Sequence, residues 1–238
     1  MMPRSTELSS SALHAHFATV MQQIQDAAKA ANRDPDSIAL LAVSKTKPAS
    51  AIAELYRAGQ RQFGENYVQE AIEKIQELQA HDDIVWHFIG PLQSNKTKDV
   101  AEHFAWVHSI DREKLVRRLA NQRPKTLGPL NVLIQVNIDD EASKAGVNLT
   151  EIPELAASIA SAEQLKLRGI MAIPNPDASA EQQKQSFAEL QKAYKELQEQ
   201  HPDVDTLSLG MSNDLQLAIA HGSTMVRIGT ALFGAREK

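Results

Sequence analysis

Short apolar runs alternate along the chain with longer segments in which apolar residues recur every three or four positions. The short runs are typical of strands buried on both faces, as in parallel sheets, and the longer segments are typical of amphipathic helices. The predicted strands span residues 40–43, 62–66, 84–89, 105–110, 131–138, 165–173, 206–209 and 224–228. A predicted helical segment follows each strand, and one further helix, over about residues 6–31, precedes the first.

The regular alternation of strand and helix determines the predicted architecture. Consecutive strands separated by helices run parallel and are joined by right-handed crossovers. Eight such units in about 200 residues predict an α/β fold, a single (β/α)8 TIM barrel over about residues 38–236, with the extra helix at its N-terminus. An open, doubly wound sheet is the structural alternative. Because no linker rich in Gly, Pro or Ser divides the chain, residues 1–238 are expected to form one domain.

Composition excludes several classes of function. The 238-residue chain has a net charge of −5 with scattered basic residues, so neither nucleic acid nor an anionic membrane is an expected partner. It contains no cysteine, which excludes disulfides, thiolate catalysis and cysteine-ligated zinc. No His, Asp or Glu cluster has metal-ligand spacing. No apolar run approaches the roughly 20 residues that span a bilayer, and no signal core is present, so a cytoplasmic protein is expected.

One candidate for chemistry lies directly after the first predicted strand. The run Leu40-Leu41-Ala42-Val43 leads into Ser44 and Lys45, and Pro48 ends the segment. Lys45 is thereby placed at the carboxyl end of a strand, where parallel α/β folds build their sites. The alternative interpretation is that Lys45 begins an exposed loop.

The other strand ends supply possible partners for Lys45. Residues expected at the same mouth of the barrel are mostly small or polar: Asn66, residues 90–95, Ser109, Asn137, Met171, residues 210–212, Arg227, Gly229 and Thr230. In segments 210–214 and 229–231, small residues precede a helix or turn, so backbone N–H groups can approach an anion closely. A lysine amine opposite such a site suggests Schiff-base chemistry with a phosphorylated aldehyde. Arg227 either donates to a ring nitrogen or belongs to a buried ion pair, and His87 is expected to be a hydrogen-bonded core residue.

Five segments carry a specific resemblance to a known family. They read Val43-Ser44-Lys45-Thr46-Lys47-Pro48, Phe63-Gly64-Glu65-Asn66-Tyr67, Trp86-His87-Phe88-Ile89-Gly90-Pro91-Leu92-Gln93-Ser94-Asn95-Lys96, Leu209-Gly210-Met211-Ser212 and Arg227-Ile228-Gly229-Thr230. With these motifs the chain closely resembles the pyridoxal phosphate homeostasis proteins. Their barrel is similar to the N-terminal domain of alanine racemase, a fold type III barrel that binds pyridoxal 5'-phosphate (PLP).

The resemblance implies a cofactor, a function and a set of binding residues. PLP is the implied cofactor, held as a Schiff base on Lys45, and the implied function is intracellular PLP (vitamin B6) homeostasis without catalytic turnover. The phosphate is expected to be bound by Ser212, Gly229 and Thr230. Arg227 is expected to face the pyridine nitrogen, and Asn66 is expected to line the ring pocket. No catalytic residue and no metal ligand is predicted.

The resemblance leaves alternatives for activity and partners. Racemisation needs acid–base groups on both faces of the cofactor, and in alanine racemase one is a tyrosine from a second domain that is absent from this chain. A low-activity PLP-dependent amino-acid racemase is one alternative, and an unrelated barrel enzyme forming Schiff bases with sugar phosphates is another. A monomer is expected, with PLP-dependent apo-enzymes as candidate recipients. Lys47 and Lys144 are candidate transient acceptors during release, although Lys47 is equally interpreted as a solvated loop charge.

Overall fold

The strands close into a barrel. The structure, a computed structural model, describes residues 8–139 and 145–235, and within these ranges eight parallel strands pair in chain order, the last also with the first. They are β1 Ala39–Val43, β2 Gln62–Glu65, β3 Val85–Phe88, β4 Trp106–Ile110, β5 Leu130–Val136, β6 Leu165–Ala172, β7 Thr206–Ser208 and β8 Met225–Ile228. The predicted TIM barrel is confirmed. The open-sheet alternative is wrong, because β1 and β8 pair from Ala39↔Met225 to Ala42↔Ile228.

Nine α-helices accompany the strands in the described ranges. They are α1 Ser10–Ala30, α2 Ala49–Arg57, α3 Val68–Glu77, α4 Thr97–His103, α5 Glu113–Gln122, α6 Ile152–Ala160, α7 Ala180–Gln200, α8 Leu215–Ala220 and α9 Thr230–Phe233. None of them combines the length and apolarity that a membrane span requires. The same part of the chain gathers no group of three or more side chains that could hold a metal ion.

Buried apolar side chains form two layers. Neighbouring residues of a strand point to opposite faces, so Leu40 and Ala42 of β1 join the large core beneath the helices, while Leu41 points into the barrel. The barrel interior is mixed in character. It holds the apolar side chains Leu41, Leu133, Met171 and Met225 together with the buried polar side chains His87, His108, Ser208 and Arg227.

The N-terminal helix is shorter than predicted. It was expected over about residues 6–31, whereas α1 begins at Ser10 and ends at Ala30, and residues 6 and 7 lie outside the described part of the chain. The start is fixed by Ser9, whose Oγ accepts a hydrogen bond from the Ala12 N–H at 3.2 Å and so satisfies one of the unpaired donors of the first turn. Along the barrel wall, α1 packs against α2, α8 and α9.

Candidate functional site

All six residues predicted to bind a cofactor line one cavity at the carboxyl end of the strands. The cavity has a volume of about 680 Å³, and its walls include Lys45, Asn66, Ser212, Arg227, Gly229 and Thr230. These residues come from β8 and from the segments that follow β1, β2, β7 and β8, so they are up to 185 positions apart in the chain (230 minus 45). Closure of the barrel therefore brings together the residues that the sequence placed separately at strand ends.

Lys45 enters the cavity because of its position in the strand repeat. It follows β1 by two residues, so it points to the same side as Val43, and both side chains line the cavity. Ser44, between them, points the other way and is fully buried. Lys45 begins the turn after β1, as the alternative interpretation has it, but its side chain is half-buried and lines the cavity.

Arg227 is held rigidly from behind by the barrel. One terminal nitrogen donates to the Ser208 carbonyl at 2.7 Å and to the Ser208 Oγ at 2.8 Å, and the other donates to the Ala172 carbonyl at 2.8 Å. Only 5% of Arg227 is exposed. Burial lowers the pKa of its guanidinium to about 10, and the Asp214 carboxylate opposes that change. The side chain thus presents a fixed, buried donor to the cavity.

A buried polar chain continues from Arg227 into the barrel. The Ser208 Oγ lies 3.1 Å from His108 Nδ1, and His108 Nε2 lies 2.9 Å from His87 Nδ1. Burial lowers the pKa of His87 to about 3 and that of His108 well below its usual value. The prediction that His87 is a hydrogen-bonded core residue is confirmed.

The two segments predicted to hold an anion form one wall of the cavity. Gly210 has φ 101°, and a Cβ there would lie 2.5 Å from the Ala218 Cβ, so this turn requires glycine. The turn is closed by the Met211 N–H, which donates to Asp214 Oδ1 at 2.5 Å. Ser212 and Thr230 are exposed at the rim, whereas Gly229 is half-buried. This wall combines backbone amides and hydroxyl groups, which is suitable chemistry for an anion.

Asn66, in the segment after β2, forms another part of the cavity wall and carries a buried acceptor. Its Oδ1 has no hydrogen-bond partner among the residues that the structure describes. The backbone of Asn66 packs closely against Gly90, where a Cβ would lie 2.2 Å from the Asn66 carbonyl oxygen. An unsatisfied buried acceptor is costly, so this oxygen is a suitable partner for a donor on a bound molecule or water.

The cavity also contains residues that the sequence did not indicate. The loop after β6 and the start of α7 contribute Ile173, Pro174, Asn175, Pro176, Gln183 and Phe187, and Ile89 comes from the segment after β3. Of the residues expected at the mouth, residues 90–95, Ser109, Asn137 and Gly210 are not among the lining residues. Lys47 is also absent from the lining, and its Nζ donates to the Ala235 carbonyl at 3.1 Å. Lys144 lies outside the described residues.

Comparison with known sequences identifies relatives over almost the whole chain. The family model described as alanine racemase, N-terminal domain, matches residues 14–237. A pyridoxal phosphate homeostasis protein from Escherichia coli (strain K12) is 56% identical over 224 residues, covering 93% of this chain and 96% of the relative. A protein of the same name from Pseudomonas aeruginosa is 54% identical over 222 residues, covering 93% and 95%.

Solved structures agree with these relatives. PipY of Synechococcus elongatus PCC7942 with PLP bound is 38% identical with a TM-score of 0.79, covering 93% of this chain and all of PipY. The alanine racemase of Bartonella henselae, with covalently bound pyridoxal phosphate, is 20% identical with a TM-score of 0.70, and the match spans 60% of the racemase chain. The second comparison is evidence of a shared fold alone. This chain belongs to the pyridoxal phosphate homeostasis protein family, within the larger group that shares the alanine racemase N-terminal domain.

Proposed function

We propose that this protein binds PLP as a Schiff base on Lys45 and serves intracellular PLP homeostasis without catalytic turnover. One observation carries the proposal. A lysine amine, a buried guanidinium and two anion-compatible turns converge on one cavity, in a chain 56% identical to a pyridoxal phosphate homeostasis protein. A phosphorylated aldehyde with a ring nitrogen needs this combination of an amine, a cationic donor and an anion cradle.

The residues present fit PLP, and each has a proposed role. When bound, the cofactor supplies an aldehyde carbon that condenses with a primary amine and releases water. Lys45 supplies the amine, and Ser212, Gly229 and Thr230 hold the phosphate on the wall built after β7 and β8. Arg227, fixed by Ser208 and Ala172, donates to the pyridine nitrogen. Asn66 lines the ring pocket, where its buried Oδ1 is available as an acceptor.

The composition of the cavity supports binding without turnover. Among the described residues that line it, the ionisable side chains are Lys45, Asp214 and Arg227. Asp214 already accepts the Met211 N–H, and a guanidinium is a poor proton donor because it stays charged. Tyr67 is 55% exposed and is absent from the lining, so it is poorly placed as an acid on the second face of the cofactor.

The exposed rim supports a role in cofactor exchange. Ser212 and Thr230 are exposed, so the phosphate end of the site is accessible from solvent. We further propose that the protein is a cytoplasmic monomer and that PLP-dependent apo-enzymes receive the cofactor. Size-exclusion chromatography with light scattering tests the monomer, and transfer of PLP to an added apo-enzyme tests the recipient class.

Reductive trapping tests the binding mode directly. The protein is incubated with PLP, reduced with borohydride and digested, and the peptides are mapped by mass spectrometry. A pyridoxyl adduct on Lys45, lost in Lys45→Ala and retained in Lys47→Ala, is the expected result. An adduct spread over surface lysines, or unchanged in Lys45→Ala, contradicts the proposal.

Exchange of the α-proton tests the absence of turnover. Amino acids are incubated with the PLP-loaded protein in deuterated water, and Lys45→Ala is the reference. We expect no exchange above the rate of that variant. Faster exchange favours the low-activity racemase instead.

A further inference from the structure

A buried cluster of charged side chains lies on the opposite face of β1 from the cavity. It consists of Glu65 at the end of β2 with Glu70 and Lys74 on α3, and it is called the clamp below. Lys74 Nζ donates to Glu65 Oε1 at 2.8 Å, to Glu70 Oε1 at 2.5 Å and to the Ser44 carbonyl at 2.8 Å. All three ammonium protons are therefore used. Glu65 is fully buried and Lys74 is 6% exposed.

The clamp holds the backbone on both sides of Lys45. On the N-terminal side, Ser44 is bound through its carbonyl oxygen by Lys74, and its Oγ donates to Glu65 Oε1 at 2.6 Å. On the C-terminal side, the Thr46 N–H donates to Glu70 Oε1 at 2.6 Å. Lys45 itself points away from these groups into the cavity.

The Thr46 contact maintains an unusual backbone conformation. Thr46 has φ 62°, in the left-handed region that β-branched residues rarely adopt. Such a conformation persists only where surrounding interactions determine it. The bond to the Glu70 carboxylate is one such interaction, because a charge-assisted hydrogen bond is stronger than a neutral one.

Stability alone is a weak explanation for the clamp. Burial raises the pKa of the Glu65 carboxyl, although Lys74 and the Ser44 hydroxyl oppose that rise. Glu65 Oε2 is buried with no hydrogen-bond partner among the described residues. Apolar side chains of similar volume often stabilise such a position as well as buried ions do. The contacts that distinguish this cluster are those to Ser44 and Thr46.

We propose that Glu65, Glu70 and Lys74 are positioning residues that hold the Lys45 amine in the orientation required for capture of an aldehyde. They act through the backbone of Ser44 and Thr46 rather than by contact with the cofactor. The inference rests on the proposed function, since it concerns the same lysine. Glu70 is the residue to change, because its side chain is 29% exposed and its loss leaves less buried charge unpaired than the loss of Lys74.

The experiment compares Glu70→Ala with Glu70→Gln and with the control Glu73→Ala. Glu73 lies on the same helix but is exposed. The dissociation constant for PLP, measured by visible absorbance, is expected to rise about tenfold or more in Glu70→Ala, the value of one hydrogen bond to a charged group. Glu70→Gln keeps an acceptor for the Thr46 N–H, so it is expected to retain most of the affinity. Glu73→Ala is expected to bind like the unmodified protein.

A second measurement needs no cofactor. Acetic anhydride is added at a limiting amount to the cofactor-free protein, and acetylation of Lys45 is compared with that of Lys29 on α1 by peptide mass spectrometry. Glu70→Ala frees the backbone beside Lys45. In this variant, acetylation of Lys45 is therefore expected to rise relative to acetylation of Lys29. Thr46→Asn in the Glu70→Ala background is expected to reverse part of both effects, since Asn accepts the left-handed region more readily than Thr.

The outcomes separate the two proposals. If Glu70→Ala has unchanged affinity and unchanged Lys45 acetylation, the clamp is not a positioning device. If the unmodified protein captures no PLP at Lys45 while acetylation of Lys45 still responds to Glu70→Ala, the proposed function is wrong. The clamp is then still supported as a device that positions the Lys45 amine. A circular dichroism melt of each variant shows whether it is folded at the assay temperature, and Glu70→Gln remains the folded comparison if Glu70→Ala is not.

Discussion

His87 and His108 occupy the barrel interior without charge, and their hydrogen bonds run in one direction. Arg227 donates to the Ser208 Oγ, so the hydroxyl proton is available for His108 Nδ1. A neutral His108 then carries its proton on Nε2 and donates to His87 Nδ1. This arrangement directs every donor away from the Arg227 cation. It leaves His87 Nε2 as the single buried side-chain nitrogen without a partner among the described residues.

Because the pKa of His87 is lowered, the free energy of unfolding depends on pH. The folded pKa of about 3 lies below the usual 6.5, so the unfolded state binds more protons in this window. The stabilising contribution is complete above pH 6.5 and is lost as the pH falls through 3, by about 5 kcal/mol in total. The variant His87→Gln keeps an acceptor for His108. Its free energy of unfolding, measured in urea, should fall less steeply between about pH 7 and pH 4 than that of the unmodified protein. Gln23→Ala, a change at an exposed residue that does not titrate, is the control and should keep the pH dependence of the unmodified protein.

Gly90 allows the segment after β3 to pack against Asn66. In Gly90→Ala the new methyl group meets the Asn66 backbone at 2.2–2.8 Å, so one of the two segments must move. Overpacking of this kind costs about 1–3 kcal/mol, and it displaces a wall of the cavity. We expect a lower urea midpoint and weaker PLP affinity. Gly59→Ala is a useful comparison. The positive φ of Gly59 strains an alanine, but no atom lies within 4 Å of the new Cβ and the cavity is remote. In this variant stability should fall while PLP affinity is retained.

The sequence predicted the cavity residues that sit at strand ends. Lys45 and Arg227 were identified because each lies at the carboxyl end of a short apolar run. Phe187 could not be placed at the cavity, because its position depends on how α7 folds back over the mouth. Lys74 was missed for a different reason. A lysine on a predicted helix is expected at the surface, and its burial depends on Glu65 and Ser44, which come from two other elements.

At the scale of elements, α1 completes the ring of helices around the barrel. The helix that follows β8, α9, has four residues, and it is too short to cover the outer face of the strand. α1 packs beside α9, α8 and α2, where β8 and β1 meet. His16 Nδ1 lies 3.0 Å from the Leu232 carbonyl, which joins α1 to α9. The predicted extra helix is thus a structural part of the barrel wall.

Truncation of the buried face of α1 should destabilise the barrel. Ile24 is 2% exposed and belongs to the main core, so Ile24→Ala is expected to cost about 2–5 kcal/mol. Gln23 is exposed on the same helix, and Gln23→Ala should have little effect. Chemical unfolding followed by circular dichroism compares the two variants. Equal stability would mean that α1 is peripheral to the core.

At the scale of the whole molecule, the order of strands and helices follows directly from the sequence pattern, whereas closure of the sheet into a barrel does not. Alternation in the sequence gives parallel strands, yet it gives an open doubly wound sheet equally well. The pairing of β1 with β8, which decides between them, joins residues at opposite ends of the chain and leaves no local pattern. The count of eight units in about 200 residues favoured the barrel, because that number and length are typical of a closed (β/α)8 barrel.

If the chain forms the single domain that the sequence predicts, it should unfold in one cooperative transition that is linked to the cofactor. For the cofactor-free protein, the calorimetric and van't Hoff enthalpies should agree, whereas a divided chain would give a ratio above one. PLP at about 100 times its dissociation constant adds about 2.7 kcal/mol, and for a chain of this length each kcal/mol raises the Tm by about 2–4 °C. The expected rise is therefore about 5–10 °C. Lys45→Ala should lose most of that rise, because the phosphate contacts alone bind the cofactor more weakly. A full rise in Lys45→Ala would place the dominant binding interaction elsewhere in the cavity.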